Sequence, residues 1–270
     1  MTDFFTDHTG TIHAPAGPSA RIVSLVPSLT ELLFDLGLGE QLVGRTRYCV
    51  HPVDRVDGIP VVGGTKAIEA DAVRALNATH AVVNVDETPK AVADELTAMG
   101  LTVIVTHPNS VEDNPSLFRL FGEIFERQQQ VDALCRNFDR ALRDLKQTAA
   151  TLPVRRVLYL IWQKPWMTVS ADTYIANTLR LVNWQTVGHD PDVRYPEVVM
   201  EGVIDDGVDL VLFSSEPFPF TETHRRDFHE RFPHYSGQSA IIDAEMVSWY
   251  GSRSLPGLRY LGEFATGLNP

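Results

Sequence analysis

Arg21-Ile22-Val23-Ser24-Leu25-Val26-Pro27-Ser28 is the stretch whose reading decides the fold, because the chain repeats it. Arg155-Arg156-Val157-Leu158-Tyr159-Leu160-Ile161-Trp162 has the same form, a basic start followed by a continuous apolar run. Continuous apolar runs suit strands buried on both faces of a parallel sheet. The echo continues downstream. Thr79-His80-Ala81-Val82-Val83-Asn84-Val85-Asp86-Glu87 parallels Val208-Asp209-Leu210-Val211-Leu212-Phe213-Ser214-Ser215-Glu216, and each run ends on a Glu and then meets a Pro, Pro89 or Pro217. Two similar α/β lobes facing each other would make a cleft, where small ligands bind.

Around these runs, strands and helices alternate. Strand Ile22–Leu25 leads into a helix opened by Pro27-Ser28-Leu29-Thr30-Glu31, with Ser28 or Thr30 as cap and Gly37 as stop. Short strands follow at Leu42–Gly44 and Ile59–Val62. Then come helix Asp71–Leu76, strand Ala81–Val85, helix Pro89–Met99 and strand Leu101–Val105. The second lobe reads strand Val157–Ile161, helices Tyr174–Val182 and Glu201–Asp205, strand Leu210–Phe213, helix Glu222–Phe232, strand Ile241–Asp243 and a closing helix Pro256–Thr266. Alternation of this kind predicts parallel, layered α/β lobes of Rossmann-like form. Residues 1–20, with Gly10, Pro15, Gly17 and Pro18, read as an extended lead-in.

Between the lobes, Leu117, Leu120, Phe121, Ile124, Phe125, Val131, Leu134, Phe138, Leu142 and Leu145 recur at helical spacing. One helix of roughly 35 residues would span about 50 Å. A break near Arg127-Gln128-Gln129-Gln130 would give two shorter helices instead. The predicted organisation is a first lobe over 1–113, a linking helix over 114–150 and a second lobe over 151–270.

A net charge of −12 argues against a nucleic-acid partner, which needs a basic face, and against binding to anionic membranes. No run approaches the roughly 18 apolar residues of a membrane span. The first residues lack the basic start and apolar core of a secretory leader, so the chain reads as cytoplasmic as given, and as periplasmic or cell-surface if a leader had been removed. Cys49 and Cys135 form no disulfide framework.

Chemistry-bearing residues cluster in the predicted loops. Cys49 and His51 are two apart and could face one metal, with Glu87 and Glu216 as further ligands. Arg45, Arg47, Lys66 and Arg253 could hold anions. An ordinary Lys66–Glu87 salt bridge is an equal alternative. Trp249-Tyr250-Gly251-Ser252-Arg253 pairs stacking surface with a cation. No strained serine elbow, phosphate-cradling loop or dinucleotide fingerprint is present, so the chain is not read as an enzyme.

Strand, Ser24-Leu25-Val26-Pro27-Ser28-Leu29-Thr30-Glu31, a Tyr loop, an acid-opened helix and a long linker helix together resemble the class III, helical-backbone periplasmic binding proteins. Members bind cobalamin, haem, ferric siderophores or metal ions for ABC importers. The resemblance spans Arg21 to Gly262 and is nearest to the cobalamin branch. It implies a substrate-binding protein with a cobalamin, haem or iron chelate as ligand and no covalent cofactor. It places aromatic contacts at Tyr48, Trp166 and Tyr195, and permease-docking acids at Asp71 and Glu201. With the loop chemistry, the full ligand-binding set is Tyr48, Arg47, Lys66, Glu87, Trp162, Trp166, Tyr195, Glu216, Tyr250 and Arg253. The sequence departs from the cobalamin binders where the Gly63-Gly64-Thr65-Lys66 loop replaces an aromatic. The alternative is a cytoplasmic metal-binding protein or enzyme on the same scaffold, using Cys49, His51 and the strand-end acids.

Overall fold

The computed structural model describes residues 6–190 and 192–269. They divide into two compact units, one of residues 6–108, 112–138 and 250–253, the other of residues 109–111, 139–190, 192–249 and 254–269. Each carries a four-stranded, wholly parallel sheet.

In the first unit the strands are β1 (Ile22–Ser24), β2 (Leu42–Arg45), β3 (His80–Asn84) and β4 (Thr102–Thr106), in the order β2-β1-β3-β4. Helices α1 (Pro27–Asp35), α2 (Val53–Val56), α3 (Ala70–Ala75) and α4 (Lys90–Ala98) connect them. In the second unit β5 (Arg155–Leu160), β6 (Trp184–Thr186), β7 (Leu210–Ser214) and β8 (Gln238–Ile242) take the order β6-β5-β7-β8, served by α7 (Tyr174–Arg180), α8 (Met200–Asp205), α9 (Glu222–Arg231), α10 (Ala244–Ser248) and α11 (Ser254–Gly267). The echoed runs therefore take equivalent places. β1 and β5 are second in their sheets, and β3 and β7 pair directly beside them. Their side chains are buried on both faces, which is why both runs are continuously apolar.

Helix α1 starts as expected, with Pro27 in its first turn, but neither Ser28 nor Thr30 caps it. Val26 is the N-cap. Thr30 instead lies one turn inside, where its hydroxyl donates to the Val26 carbonyl at 3.0 Å and meets Ser24 Oγ and Cys49 Sγ. Ile59–Val62 is not a strand; only Val61 bridges to Arg45. The short elements β6 and α10 lacked a periodic signal long enough to read.

The expected single linker helix is two helices, α5 (Asn114–Ile124) and α6 (Gln128–Ala149). Glu126 breaks it by adopting φ +56°, a conformation no helix interior contains. The freed carbonyls of Phe125 and Glu126 accept from the Arg127 guanidinium, both at 3.1 Å. Gly122 lets the chain fold back, since a Cβ there would lie 2.5 Å from Val131 Cγ2. The apolar period runs through the break because both helices bury their stripe, so periodicity alone conceals it. With 22 residues, α6 is about 33 Å long.

Residues 6–13 are more than a lead-in. Thr6 bridges to Ile12, and His8 N–H donates to the Val105 carbonyl at the edge of β4. The buried Asp7 carboxylate organises this arm. Its Oδ1 accepts from Thr9 N–H, Thr9 Oγ1 and Thr11 N–H, and its Oδ2 from Val105 N–H at 3.1 Å and His13 Nε2 at 3.0 Å.

Candidate functional site: the strand-end loops of each lobe

In open parallel α/β sheets, ligands meet the loops beyond the carboxyl ends of the strands. Most of the residues singled out in the sequence lie in these loops, and the structure separates those that are engaged internally from those that present a surface.

In the first lobe, the segment leaving β2 pairs by its backbone with the loop after Val62. Arg47 N–H donates to the Gly63 carbonyl at 3.0 Å. The 63–68 loop closes on itself through Gly64 N–H to the Ala67 carbonyl at 2.8 Å. Gly63 holds φ +129° there, and a Cβ on it would sit 2.5 Å from the Ala67 carbonyl oxygen, so only glycine fits. Tyr48 passes over Gly64 and remains 56% exposed, a flat aromatic surface with nothing of this lobe covering it fully.

Four cations were candidates for anion binding, and they part into two kinds. Arg45 is spent on the loop itself, donating to the carbonyls of Val56, Thr46 and Cys49. Arg253 is half-buried and donates through Nε to Glu31 Oε2 at 2.8 Å. Arg47 is exposed, and its guanidinium has no hydrogen bond or ion pair among the described residues. Lys66 is exposed and reaches the Asp86 carbonyl oxygen at 3.1 Å, not the Glu87 carboxylate.

Glu87 is instead held by Tyr250, whose hydroxyl donates to Oε1 at 2.7 Å. Tyr250 is buried, and burial followed by the Glu87 charge pushes its phenol well above the usual tyrosine range, so it acts as a donor throughout. The second lobe repeats the device. Trp249 Nε1 donates to Glu216 Oε1 at 2.7 Å, and Trp249 too is buried. Both strand-end acids are thus fixed by aromatic donors, and Trp249 and Tyr250 serve in this positioning role rather than as open stacking faces.

Burial, then the neighbouring Glu245 and Asp243 carboxylates, raise the Glu216 pKa, against the opposing Trp249 bond. These three acids line a cavity of about 450 Å³ with Ser215, Ile241 and Ile242. Glu216→Gln keeps an acceptor for Trp249 and removes an unfavourably placed charge. It is expected to leave the melting midpoint at pH 8 unchanged or higher, while Glu216→Ala, which strands the indole N–H, lowers stability by about 1–2 kcal/mol and the midpoint with it. A lower midpoint for Glu216→Gln than for Glu216→Ala contradicts this account.

Trp162 is 39% exposed, edge-on to Phe218 with centroids 5.5 Å apart. Trp166 is half-buried, parallel to Phe220 at 6.1 Å, and packs against the core of the second lobe. It is therefore a wall of that core as much as an open surface. Tyr195 is half-buried on the loop after Arg194.

Cys49 is fully buried, its thiol between Thr30 Oγ1 at 3.0 Å and Thr46 Oγ1 at 3.2 Å, and burial raises its pKa. His51 is half-buried, within electrostatic reach of Glu31. Among the described residues no three His, Cys, Asp or Glu side chains converge on a common metal position.

Asp71 and Glu201 occupy equivalent places, in the first turns of α3 and α8, ahead of β3 and β7. Both are exposed and both have an arginine of their own lobe, Arg74 at 2.9 Å and Arg231 at 3.1 Å. The backbone amide at the helix start and then Arg231 lower the Glu201 pKa.

A family model described as periplasmic binding protein matches residues 22–248. A vitamin B12-binding protein of Yersinia pestis (strain Pestoides F) is 22% identical over 200 residues, 74% of this chain and 71% of the relative. Among solved structures, the periplasmic vitamin B12 binding protein of Vibrio cholerae superposes with a TM-score of 0.78 at 17% identity, covering 93% of this chain and 98% of that one. A periplasmic haem-binding protein from Roseiflexus sp. RS-1 gives 0.76 at 19% identity, covering 93% and 99%. At these identities the likeness establishes the two-lobed fold. No helix of the described residues is long and apolar enough to cross a membrane.

Proposed function

Because the chain belongs to the periplasmic binding protein family, we propose that it is the substrate-binding component of an ABC importer and that its ligand is a metal chelate of the cobalamin, haem or ferric-siderophore class. The observation that carries this reading is the exposed Tyr48, set over Gly64 at the carboxyl edge of its sheet, in a chain whose family consists of solute binders. Trp162, Trp166 and Tyr195 on the second lobe's loops would add apolar area, which suits a flat macrocycle or catecholate. Glu87 and Glu216, held by Tyr250 and Trp249, would fix the positions of those aromatics. Asp71 and Glu201 would meet basic residues of the permease, exchanging Arg74 and Arg231 for them. The importer role would put the protein on the side of the membrane where the ligand arrives; fractionation of expressing cells tests this.

The test is a thermal-shift screen of the purified chain against cyanocobalamin, haemin, ferric siderophores and divalent metals. A ligand at 100 times its Kd adds about 2.7 kcal/mol and moves the midpoint by several degrees. Tyr48→Ala, at an exposed position, is expected to weaken binding by about 1–2 kcal/mol without altering the unliganded midpoint. Unchanged affinity removes Tyr48 from the site. Trp166→Ala should lower both, because Trp166 also seals the second core. No shift with any chelate overturns the reading.

A further inference from the structure

Resting on that reading, we infer that the first lobe selects an anionic ligand, a chelate carrying carboxylate, phosphate or catecholate charge beside an apolar face, over a neutral or cationic one. The inference comes from how the lobe spends its cations. In a chain of net charge −12, a surface cation has many acids to pair with. Arg45, Arg74 and Arg253 do find partners within their lobe. Arg47 has none among the described residues, and Lys66 has no acid side chain. The Arg47 guanidinium is exposed and makes no hydrogen bond or ion pair among the described residues, and the Lys66 ammonium meets the Asp86 carbonyl oxygen rather than a carboxylate. The acids of the neighbouring strand end are directed elsewhere, Glu87 accepting from Tyr250 and Asp86 facing His107 Nε2 at 3.5 Å.

These two cations share one framework. Arg47 is bonded by its backbone to Gly63, and Lys66 lies at the tip of the 63–68 loop that begins there. Tyr48 lies against the same loop at Gly64. Val50 on the segment leaving β2, Val61 bridged to Arg45 just before that loop, and Val85 directly after β3 are exposed. These segments present aromatic and aliphatic surface together with two cations that have no carboxylate partner among the described residues. Its complement is a flat amphiphile with negative groups at its rim. Arginine and lysine hold such groups by charge-assisted hydrogen bonds, and their positive field draws the anion in.

The experiment is equilibrium titration of the full chain with four probes: haemin and a negatively charged ferric tris-catecholate, against neutral cyanocobalamin and positively charged ferrioxamine. The anionic probes are expected to bind at least tenfold more tightly and to lose affinity as salt rises. Arg47→Ala and Lys66→Ala are each expected to weaken the anionic probes about tenfold and to leave the others within twofold. Arg47→Glu should weaken them further and Arg47→Lys restore most of the loss. All of these positions are exposed, so the variants fold. Tight binding of cyanocobalamin or ferrioxamine that is indifferent to Arg47 and Lys66 overturns this inference and leaves the binding-protein reading standing. Failure of all four probes to bind overturns both.

Discussion

Asp7→Asn is expected to lower the stability of the first lobe by about 3 kcal/mol and its melting midpoint by several degrees. Asparagine has nearly the shape of aspartate, so the loss is electrostatic. The native carboxylate accepts five hydrogen bonds, three on Oδ1 and two on Oδ2. An amide has only one acceptor oxygen. Placed toward Thr9 and Thr11, it turns its NH₂ at the Val105 amide and at His13, two groups that need an acceptor. A buried donor left without one costs about 1–3 kcal/mol, and the arm loses one of its two ties to Val105 of β4.

The pH dependence follows from the same geometry. Burial raises the Asp7 pKa, but the bonds from His13, Thr9, Val105 and Thr11 outweigh it and lower the pKa from 3.8 to about 2. A carboxyl group depressed by folding stabilises the fold above its unfolded pKa and loses that contribution as pH falls through the folded value. The difference between the native chain and Asp7→Asn should therefore be full at neutral pH and fade between about pH 4 and pH 2. Thermal melts at pH 7, 4 and 2.5 measure it. A variant that melts with the native chain at pH 7 would show the arm to be an unanchored tail.

Gly257→Ala is the second large effect. It sits in α11 where that helix crosses α10. A Cβ at this position would stand 2.2 Å from the Met246 carbonyl oxygen and 3.2 Å from its carbon. Both are backbone atoms, so the methyl group has no flexible neighbour to displace and must push α11 off α10. The neighbouring Trp249, which fixes Glu216, follows directly from α10. Overpacking of this kind costs about 1–3 kcal/mol, and alanine's better helix propensity returns about 1 kcal/mol. We expect a net loss of up to about 2 kcal/mol in the second lobe, read as an earlier urea midpoint. Gly267→Ala, at the end of the same helix with no atom within 4 Å of its Cβ, should cost less than about 0.5 kcal/mol. Equal midpoints for the two variants would mean that α10 and α11 separate freely.

The two lobes were legible in the chain because continuous apolar runs have one stable home, a parallel strand covered on both faces. The echo between Ile22–Ser24 and Arg155–Leu160, and between His80–Asn84 and Leu210–Ser214, carried through to identical sheet order. Glycine, proline and helical spacing likewise set α1, α4, α9 and α11 to within a few residues. The polar run Arg127–Gln130 marked the break in the long linker only as an alternative, because an apolar stripe has the same period on one helix or two.

The sequence named the loop residues but gave no way to sort them. Arg45, Arg47, Lys66 and Arg253 are alike as letters. Which of them remain open depends on whether a carbonyl or carboxylate stands within reach, and those partners lie at Val56, Asp86 and Glu31, set by the packing of other segments. Tyr250 and Trp249 read as stacking surfaces until the fold brought Glu87 and Glu216 to them across 163 and 33 residues. Asp7 drew no notice, although Asp-x-Thr-x-Thr spells a local acceptor with donors two and four residues on. Local composition determined the strands, the helices and the chemical kind of each loop. Tertiary structure alone decided which polar groups were already satisfied, because a hydrogen bond depends on proximity in space and the partners are distant in the chain.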